Sequence, residues 1–447
     1  GRVVAIGGSS GAGIGGGGTS SWGVSGAGGT TKISGGTVFA QGAPGSSDIG
    51  PGRDSTAFGT NTFTGGSICL AGSSASPAPS NGTVRVACAV VSGFEPNAAV
   101  EITGLSGYGV NDIFADNGGG IYLWLPDNTY SFEANGRTCE VKFQNGVGPT
   151  GVTVNGEEVA FGPAVPAGWS FDPATRTLRL DGTGPFTLSG ANAAGGVCVV
   201  VSEDVAHAVT LSNLTLRAAG SGQCVFALEE NVDVALVLAG SNALASGSGR
   251  AGLEVAAGRT LTINHAPSDV TGALTTTSGY GAAGIGGGSA ADAGVITING
   301  GVVTAIGSGN YSAGIGGGGN AGAGTITIHG GTVTAIGARL GAGIGTGGYA
   351  ARYGHDSGTI TINGGTVTAT GGELAAGIGG GDNDPAGTVA ISGGRVTASG
   401  GRGAAGIGGG GAYSGIGGAG ADLTISGGTV FGTGGTGGGP GIGGGVN

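Results

Sequence analysis

The stretch NAGAGTITIHGGTVTAIGARLGAGIGTGG, residues 320–348, carries the strongest structural signal in the chain, because nearly the same phrase occurs before and after it. Its TITI and TVTA segments alternate apolar and polar residues, which is typical of strands whose side chains point to opposite faces. The GG between them indicates a corner, since glycine reaches positive φ without a steric penalty. The third segment, GIG, places one isoleucine among residues without side chains. We therefore predict three short strands in each unit.

The unit recurs at intervals of roughly 30 residues, the size of one supersecondary repeat. The isoleucines of the GIG phrase are Ile14, Ile285, Ile315, Ile344, Ile378, Ile407 and Ile442. So small a unit cannot bury its apolar face alone, but stacked copies form a continuous core and pair every backbone edge. The sequence predicts an all-β chain built as a right-handed parallel β-helix. Two alternative folds fit the sequence less well. A polyglycine sandwich would not require a TITI segment in every unit, and a Greek-key β-sandwich would not require a repeat of this length.

Interruptions in the repeat divide the chain into four predicted parts. Residues 1–78 are predicted to be the last coils of one β-helix, and 79–147, which lack the GIG phrase, a small linking or inserted β-sandwich. Residues 148–269 are predicted to be the cap and irregular first coils of a second β-helix, and 270–447 its regular repeats. The chain contains no Met and opens in mid-phrase, which favours a segment of a longer tandem array.

Composition excludes some classes of function. Glycine accounts for 114 of the 447 residues, charged residues for 9%, and the net charge is −11. The two lysines, Lys32 and Lys142, leave no basic patch for nucleic acid. The sequence also lacks an apolar run near the ~20 residues of a membrane-spanning helix. The five cysteines have no CxxC spacing, which argues against zinc, and whether four of them form disulfides stays open.

Several phrases resemble a known family. WSFDPATRTLRLDG, VTLSNLTL, VALVLAGSNAL, GRTLTINHA and the tandem GAGIGGG and GTITINGGTVTATGG units resemble the carbohydrate-binding β-helix domain of clostridial and related Gram-positive surface proteins. LWLPDNTYSFEANG, residues 123–136, is similar to the LPDGTYTF-type β-sandwich modules found between such domains. The resemblance implies an extracellular protein whose relatives bind polysaccharide and calcium and share their fold with pectate lyases. It supplies no set of ligand-binding positions.

Candidate binding residues come from the loops around the GIG phrase. Five of the eight tyrosines lie there, and a ring with an apolar face and a hydroxyl suits a sugar or a protein partner. Acidic residues and a histidine occur in the same loops. The predicted ligand-binding residues are Tyr280, Tyr311, Tyr349, Tyr353, His355, Asp356 and Tyr413. Exposed loop tyrosines without a ligand are the alternative.

The phrase GGDNDPAG holds the densest group of oxygen ligands in the chain. Asp382, Asn383 and Asp384 are the predicted calcium ligands, because calcium prefers carboxylate, amide and carbonyl oxygens. Calcium is the only cofactor expected. The competing interpretation is an Asx turn before Pro385.

These observations predict an adhesin or structural stalk at the bacterial surface, which binds a polysaccharide, a host glycan or a host protein weakly through the loops that carry tyrosine and aspartate. Catalysis is not expected. The alternatives are a β-helix lyase or glycosidase, which would need two carboxylates at a suitable separation, and a purely structural spacer or filament subunit with tandem neighbours. Outward threonine columns, such as Thr297, Thr327 and Thr361, would also suit ice binding, although threonine is a common strand residue.

Overall fold

A computed structural model of the chain describes residues 1–447 except 9, 19–24, 44–45, 54, 56, 58, 72–77, 82–83, 106, 111–112, 144–149, 162–167, 183, 193–195, 203–206 and 414–415. Within the described residues the regular structure is β-strand, apart from the short 3-10 helices Val159–Phe161 and Ala351–Tyr353. No helix in this part of the chain has the length and apolar character needed to cross a membrane.

Each repeat forms one coil with three strands, and the coils stack in parallel. On the first face, the TITI face, the strands are Asp233–Ala239, Thr260–His265, Val295–Ile298, Thr325–Ile328, Thr359–Ile362, Thr388–Ile391 and Asp422–Ile425. On the second, the TVTA face, they are Ser241–Ala245, Ala273–Tyr280, Val302–Ser308, Thr332–Ile336, Thr366–Thr370, Arg395–Ser399 and Thr429–Thr433. The GIG face holds Cys198–Val201, Phe226–Leu228, Leu253–Glu254, Ile285–Gly286, Ile315–Gly316, Ile344–Gly345, Ile378–Gly379, Ile407–Gly408 and Ile442–Gly443.

Matching residues of successive coils lie level with one another and form the core. Ile315 pairs with Ile344 on the GIG face, and both side chains are fully buried. Ile326 pairs with Ile360 on the TITI face in the same way. The parallel pairing confirms the predicted β-helix architecture and excludes a Greek-key sandwich for the repeats. The spine of matched isoleucines is continuous because each coil lies one strand spacing, about 4.8 Å, from the next.

The corner between the TITI and TVTA faces is held by a ladder of polar side chains. Asn299 donates from Nδ2 to Oδ1 of Asn264 at 2.9 Å, and Ser392 donates to Oδ1 of Asn363 at 2.7 Å. His329 occupies the equivalent position in its coil and lies 3.3 Å from Nδ2 of Asn363 through Nδ1. These side-chain bonds occur where the strands end, and they fix the relative height of neighbouring coils.

The second β-helix begins with larger and less regular coils. Strand His207–Arg217 pairs with strands of both the TITI and TVTA faces of the next coil, and Phe186–Ala191 pairs in parallel with it. The first elements are antiparallel: Val152–Val154 with Glu157–Glu158, and Trp169–Asp172 with Thr177–Leu180. These antiparallel elements lie at the start of the column of stacked coils.

Stacked coils also occur in the N-terminal part. Strands Arg2–Ile6, Thr30–Gln41 and Thr60–Leu70 pair in parallel, and Ile14–Gly15 pairs with Ile49–Gly50 as the GIG strands do in the second β-helix. Ser80–Asn81 adds to Thr60–Leu70 in parallel and pairs with Val84–Arg85 in antiparallel fashion. Phe63 and Ile68, both fully buried, belong to the core of these coils.

The segment between the two sets of coils is antiparallel and has a core of its own. The strands are Ala87–Val91 with Ile121–Leu125, Ala99–Val100 with Ile113–Phe114, and Ile102–Thr103 with Asn128–Ala134 and Arg137–Phe143. Trp124 joins it to the N-terminal coils, since its indole N–H donates to the Ile68 carbonyl at 2.9 Å. Its ring packs edge-on against Phe63 with centroids 5.3 Å apart.

Candidate functional site

The candidate site is a strip along the GIG face, which we call the GIG edge; it consists of the loops before and after each GIG strand between residues 278 and 413. The two loops approach each other because the strand between them has only two residues. Backbone hydrogen bonds hold the loops together across neighbouring coils. They are Gly319 N to Gly281 O at 2.9 Å, Gly348 N to Tyr311 O at 2.6 Å, Asp382 N to Leu340 O at 2.9 Å and Gly411 N to Leu374 O at 2.8 Å.

Two of the predicted ligand-binding tyrosines contact each other at the middle of the strip. The rings of Tyr311 and Tyr349 have centroids 5.8 Å apart and are tilted by 45°. Tyr349 also has a left-handed backbone, with φ of 66°. This conformation costs about 1–2 kcal/mol for residues other than glycine, asparagine and aspartate. The equivalent left-handed positions in sister coils are Ala290, Asn320 and Asn383. A bulky residue at a strained position is a mark of functional constraint.

A buried carboxyl lies beside Tyr349. Burial raises the pKa of Tyr349 to about 12, and the Asp382 carboxyl, which faces the Tyr349 hydroxyl, raises it further. Burial also raises the pKa of Asp382, against the lowering effect of the Tyr349 hydroxyl. Oδ1 of Asp382 accepts a hydrogen bond from Nδ2 of Asn383 at 3.0 Å, whereas the buried Oδ2 has no partner of good hydrogen-bond geometry. The strip therefore contains a desolvated acceptor next to two aromatic rings.

Charged residues continue the strip toward the C-terminal coils. Nε of Arg339 lies 2.7 Å from Oε2 of Glu373, and the Tyr413 hydroxyl donates to Oε1 of Glu373 at 2.8 Å. The Arg339 guanidinium also donates to the Tyr413 hydroxyl. The Arg402 guanidinium lies 5.3 Å from the centroid of the Tyr413 ring. The Tyr413 hydroxyl and then Arg339 lower the pKa of Glu373, so the glutamate is an exposed carboxylate held in a fixed orientation.

Arg339, Glu373 and Arg402 were not among the residues predicted from the sequence. Each lies five residues before the isoleucine of its GIG phrase, in a column from which only Tyr280 was predicted to bind a ligand. The complete column is Tyr280, Asn310, Arg339, Glu373 and Arg402. At its N-terminal end Asn310 donates from Nδ2 to the hydroxyl of Tyr280 at 2.8 Å. The signal in the sequence is that this column carries a polar side chain in every coil from Tyr280 to Arg402.

The remaining predicted residues lie on an inserted loop, 346–358. Nδ1 of His355 lies 2.7 Å from Oδ1 of Asp292, which also accepts a hydrogen bond from Gly322 N at 2.6 Å. Asp292 thus connects three successive coils. Asp356 is exposed, and its Oδ1 accepts from Gly358 N at 3.4 Å. Tyr353, on the short helix Ala351–Tyr353, is 61% exposed. In the structure His355 contacts Asp292, and Tyr349 contacts Tyr311. These two contacts are separate from each other.

Asp384 anchors this inserted loop from the next coil. Its Oδ2 accepts hydrogen bonds from the Thr346 hydroxyl at 3.0 Å and from Ala350 N at 2.9 Å, and Oδ1 accepts from Ala351 N at 2.9 Å. Both carboxyl oxygens are thus committed to protein donors at the start of the short helix. Burial nevertheless raises the pKa of Asp384 to about 6, because desolvation outweighs these three donors.

The calcium prediction depends on Asp382, Asn383 and Asp384, and the fit is poor. Calcium takes six to eight oxygen ligands, while the oxygens of Asp384 already accept three hydrogen bonds. Among the described residues, no three His, Cys, Asp or Glu side chains gather in a way that could hold a metal ion. Calcium binding stays a prediction, and the function proposed below does not depend on it.

The raised pKa of Asp384 predicts a pH-dependent stability. Between pH about 4 and 6 the folded protein keeps a proton that the unfolded chain, titrating near 3.8, has released. Raising the pH through this window should lower the free energy of unfolding by about 3 kcal/mol. Urea denaturation at intervals from pH 4 to pH 7 measures the change. Asp384→Asn, which keeps the side-chain shape but does not titrate, should flatten the profile, and equal slopes for both proteins would contradict the assignment.

Comparison with known proteins identifies the repeat. A family model described as Beta helix repeat matches residues 296–319, 326–348, 360–382 and 389–411. Each matched segment begins in a TITI strand and ends in the loop that follows the GIG strand, so it covers one coil. The chain matches neither a curated protein nor a solved structure. Four tandem segments of this chain are thus similar to the β-helix repeat, in agreement with the stacked coils of the structure.

Proposed function

We propose that this chain is part of an extracellular surface protein and binds an extended polysaccharide along the GIG edge. The stacked coils provide a rigid scaffold, and the loops of the GIG face provide the recognition surface. The observation that carries the proposal is Tyr349, a tyrosine kept in a left-handed conformation against the ring of Tyr311. The fold does not require an aromatic residue there, since the sister coils have Asn320 and Asn383 at the equivalent position.

The chemistry of the strip suits a carbohydrate. Tyrosine rings offer an apolar face for the C–H groups of a sugar and a hydroxyl for its polar edge. Arg339 adds hydrogen-bond donors and Glu373 adds acceptors, and both side chains are partly exposed on the strip. The coils repeat at about 4.8 Å, which is comparable to the length of one sugar unit in an extended polysaccharide. A ligand with a matching repeat could make several weak contacts at once, which raises its overall affinity.

Tyr349→Asn tests the proposal in a way that separates binding from folding. Asparagine tolerates the left-handed conformation, so we expect this variant to melt at the same temperature as the original chain or above it. Binding to the polysaccharides selected on a glycan array should weaken by at least about tenfold, which corresponds to 1.4 kcal/mol. Unchanged binding would refute the proposed site.

Ala290→Asn is the matched control. Ala290 has the same left-handed conformation in another coil, with φ of 56°, but it carries no ring. The substitution should raise stability slightly without an effect on binding. Measuring the binding of both variants with calcium and again with a chelator tests the predicted calcium dependence at the same time.

The alternative function is a β-helix enzyme that cleaves polysaccharide. The observation in its favour is a pair of carboxyls in opposite environments: burial raises the pKa of Asp382, and the neighbouring Tyr413 and Arg339 lower that of Glu373. Such a difference is typical of an acid and a base that act together. New reducing ends or unsaturated products from the bound polysaccharides, lost in Glu373→Gln, would favour the enzyme. Binding without products favours the adhesin.

The wider setting of the segment is also an inference. We infer that residues 79–147 act as a β-sandwich module between two β-helix pieces, because the described strands from Ala87 to Phe143 are antiparallel and pack around their own core. If no polysaccharide binds, a structural spacer or filament subunit at the surface of a Gram-positive bacterium becomes the better interpretation. A host protein that binds to the same edge would keep the adhesin function but change the ligand.

A further inference from the structure

The first coils of the second β-helix bring two cysteines together. Cys198 lies at the start of strand Cys198–Val201, and Cys224 precedes strand Phe226–Leu228 in the next coil. Val199 pairs with Phe226, so Cys198 is level with Val225, and Cys224 lies one residue away along the neighbouring strand. The two thiols lie close enough that Cys224 lowers the pKa of Cys198 and Cys198 raises the pKa of Cys224.

The expected separation of the two residues suits a covalent bond. Neighbouring strands lie about 4.8 Å apart and rise about 3.3 Å per residue, so an offset of one residue places the two Cα atoms about 6 Å apart. Val225 and Phe226 are both buried in the core. The in-and-out alternation is therefore interrupted just before the strand, which allows Cys224 to face Cys198. Disulfides most often have Cα separations of about 5.5–6 Å. Gln223 holds the adjoining loops at this spacing, since its Nε2 donates to the Gly196 carbonyl at 2.5 Å and its Oε1 accepts from Ala219 N at 2.7 Å.

We propose that Cys198 and Cys224 form a disulfide that closes one complete coil of the β-helix into a covalent ring. The chain between them, which includes strand His207–Arg217, makes one turn around the core and returns one level further along. In a solenoid each repeat contacts only its neighbouring repeats, so unfolding can begin at either end of the stack. A bond in one of the first coils opposes unwinding from the N-terminal end.

The two sulfurs differ in a way that suits stepwise oxidation. Cys198 is half-buried and Cys224 is buried. The neighbouring Cys224 thiol lowers the pKa of Cys198, and the nearby Arg250 acts in the same direction. With a small disulfide such as oxidised glutathione, the Cys198 thiolate attacks one sulfur and releases one glutathione thiolate. The Cys224 thiolate then attacks the Cys198 sulfur of the mixed disulfide and releases the second. Two protein thiols are oxidised and one glutathione disulfide is reduced.

Peptide mapping of the full chain tests the bond directly, because trypsin places every cysteine on a different peptide. Cys198 lies on residues 180–217 and Cys224 on 218–250, while Cys69, Cys88 and Cys139 lie on 54–85, 86–137 and 138–142. After incubation with oxidised glutathione and alkylation of the remaining thiols, we expect peptides 180–217 and 218–250 to be joined. Separate alkylation of both cysteines, or a stable glutathione adduct on Cys198, would overturn the proposal.

Stability supplies a second measurement with matched variants. Oxidation should raise the melting temperature of the full chain by several degrees relative to the reduced protein. Cys198→Ser and Cys224→Ser should each remove this difference, whereas Cys139→Ser, a substitution of another buried cysteine, should retain it. A difference that persists in Cys198→Ser would assign the effect to other cysteines and refute the proposed ring.

Discussion

Gly316→Ala is expected to lower the free energy of unfolding by at least about 3–5 kcal/mol, a loss that few single substitutions produce. Gly316 is the second glycine of its GIG phrase and has φ of 132°, which L residues rarely adopt. A β-carbon at this position would overlap the carbonyl oxygen of Gly345 in the next coil. The neighbouring atom is backbone, so relief would require separating two coils along the whole stack. Backbone strain alone accounts for about 1–3 kcal/mol.

The same substitution at Gly29 provides the control. Gly29 is exposed, its φ is not positive, and a β-carbon there would meet no atom within 4 Å. Chemical denaturation followed by circular dichroism should therefore give nearly the original midpoint for Gly29→Ala and a much lower one for Gly316→Ala. Similar midpoints for the two variants would mean that the GIG strands do not stack as closely as the structure indicates.

Ile344→Ala is expected to cost about 2–5 kcal/mol of stability, because the truncated side chain leaves a cavity in the continuous core. Ile344 is fully buried between Ile315 and Ile378 of the adjacent coils. Both neighbours are fixed by their own backbone pairing, so the cavity has little freedom to collapse. Denaturation in urea, with the slope and the midpoint fitted separately, measures the loss.

Ile442→Ala makes the same chemical change at the end of the stack. Ile442 occupies the same column but is 48% exposed, and among the described residues it pairs on one side only, with Ile407. Its truncation should cost much less than that of Ile344. Equal losses at the two positions would contradict the interpretation that the isoleucines form one buried spine.

The periodic part of the fold could be predicted because its signal is repeated in every coil. TITI, NGG, TVTA and GIG have the alternation and the glycine positions that strands and corners need, and in the structure each becomes the expected strand or corner. Residues 148–269 have no constant phrase. Strand His207–Arg217 pairs with both faces of the next coil, and this pairing could not be predicted from the local pattern alone.

The candidate site was predictable only in outline. Proximity to the GIG phrase correctly placed Tyr311 and Tyr349 on the same edge, because equivalent loops of stacked coils must lie above one another. The contacts among Arg339, Glu373 and Tyr413 join residues up to 74 positions apart. No local pattern encodes which of these loops bend toward each other.

Alternation and glycine spacing act within a few residues, so they were enough to predict the class of fold, the length of the repeat and the side chains that point inward. Which groups become partners depends on how the coils stack, and this is known only from the folded chain. Asp384 is an example. In the sequence it is one of three predicted calcium ligands, and in the structure its carboxyl accepts a hydrogen bond from the backbone of Ala350, 34 residues earlier. The physical reason is that burial and hydrogen bonding depend on the neighbouring coils, which stand about 30 residues away along the chain.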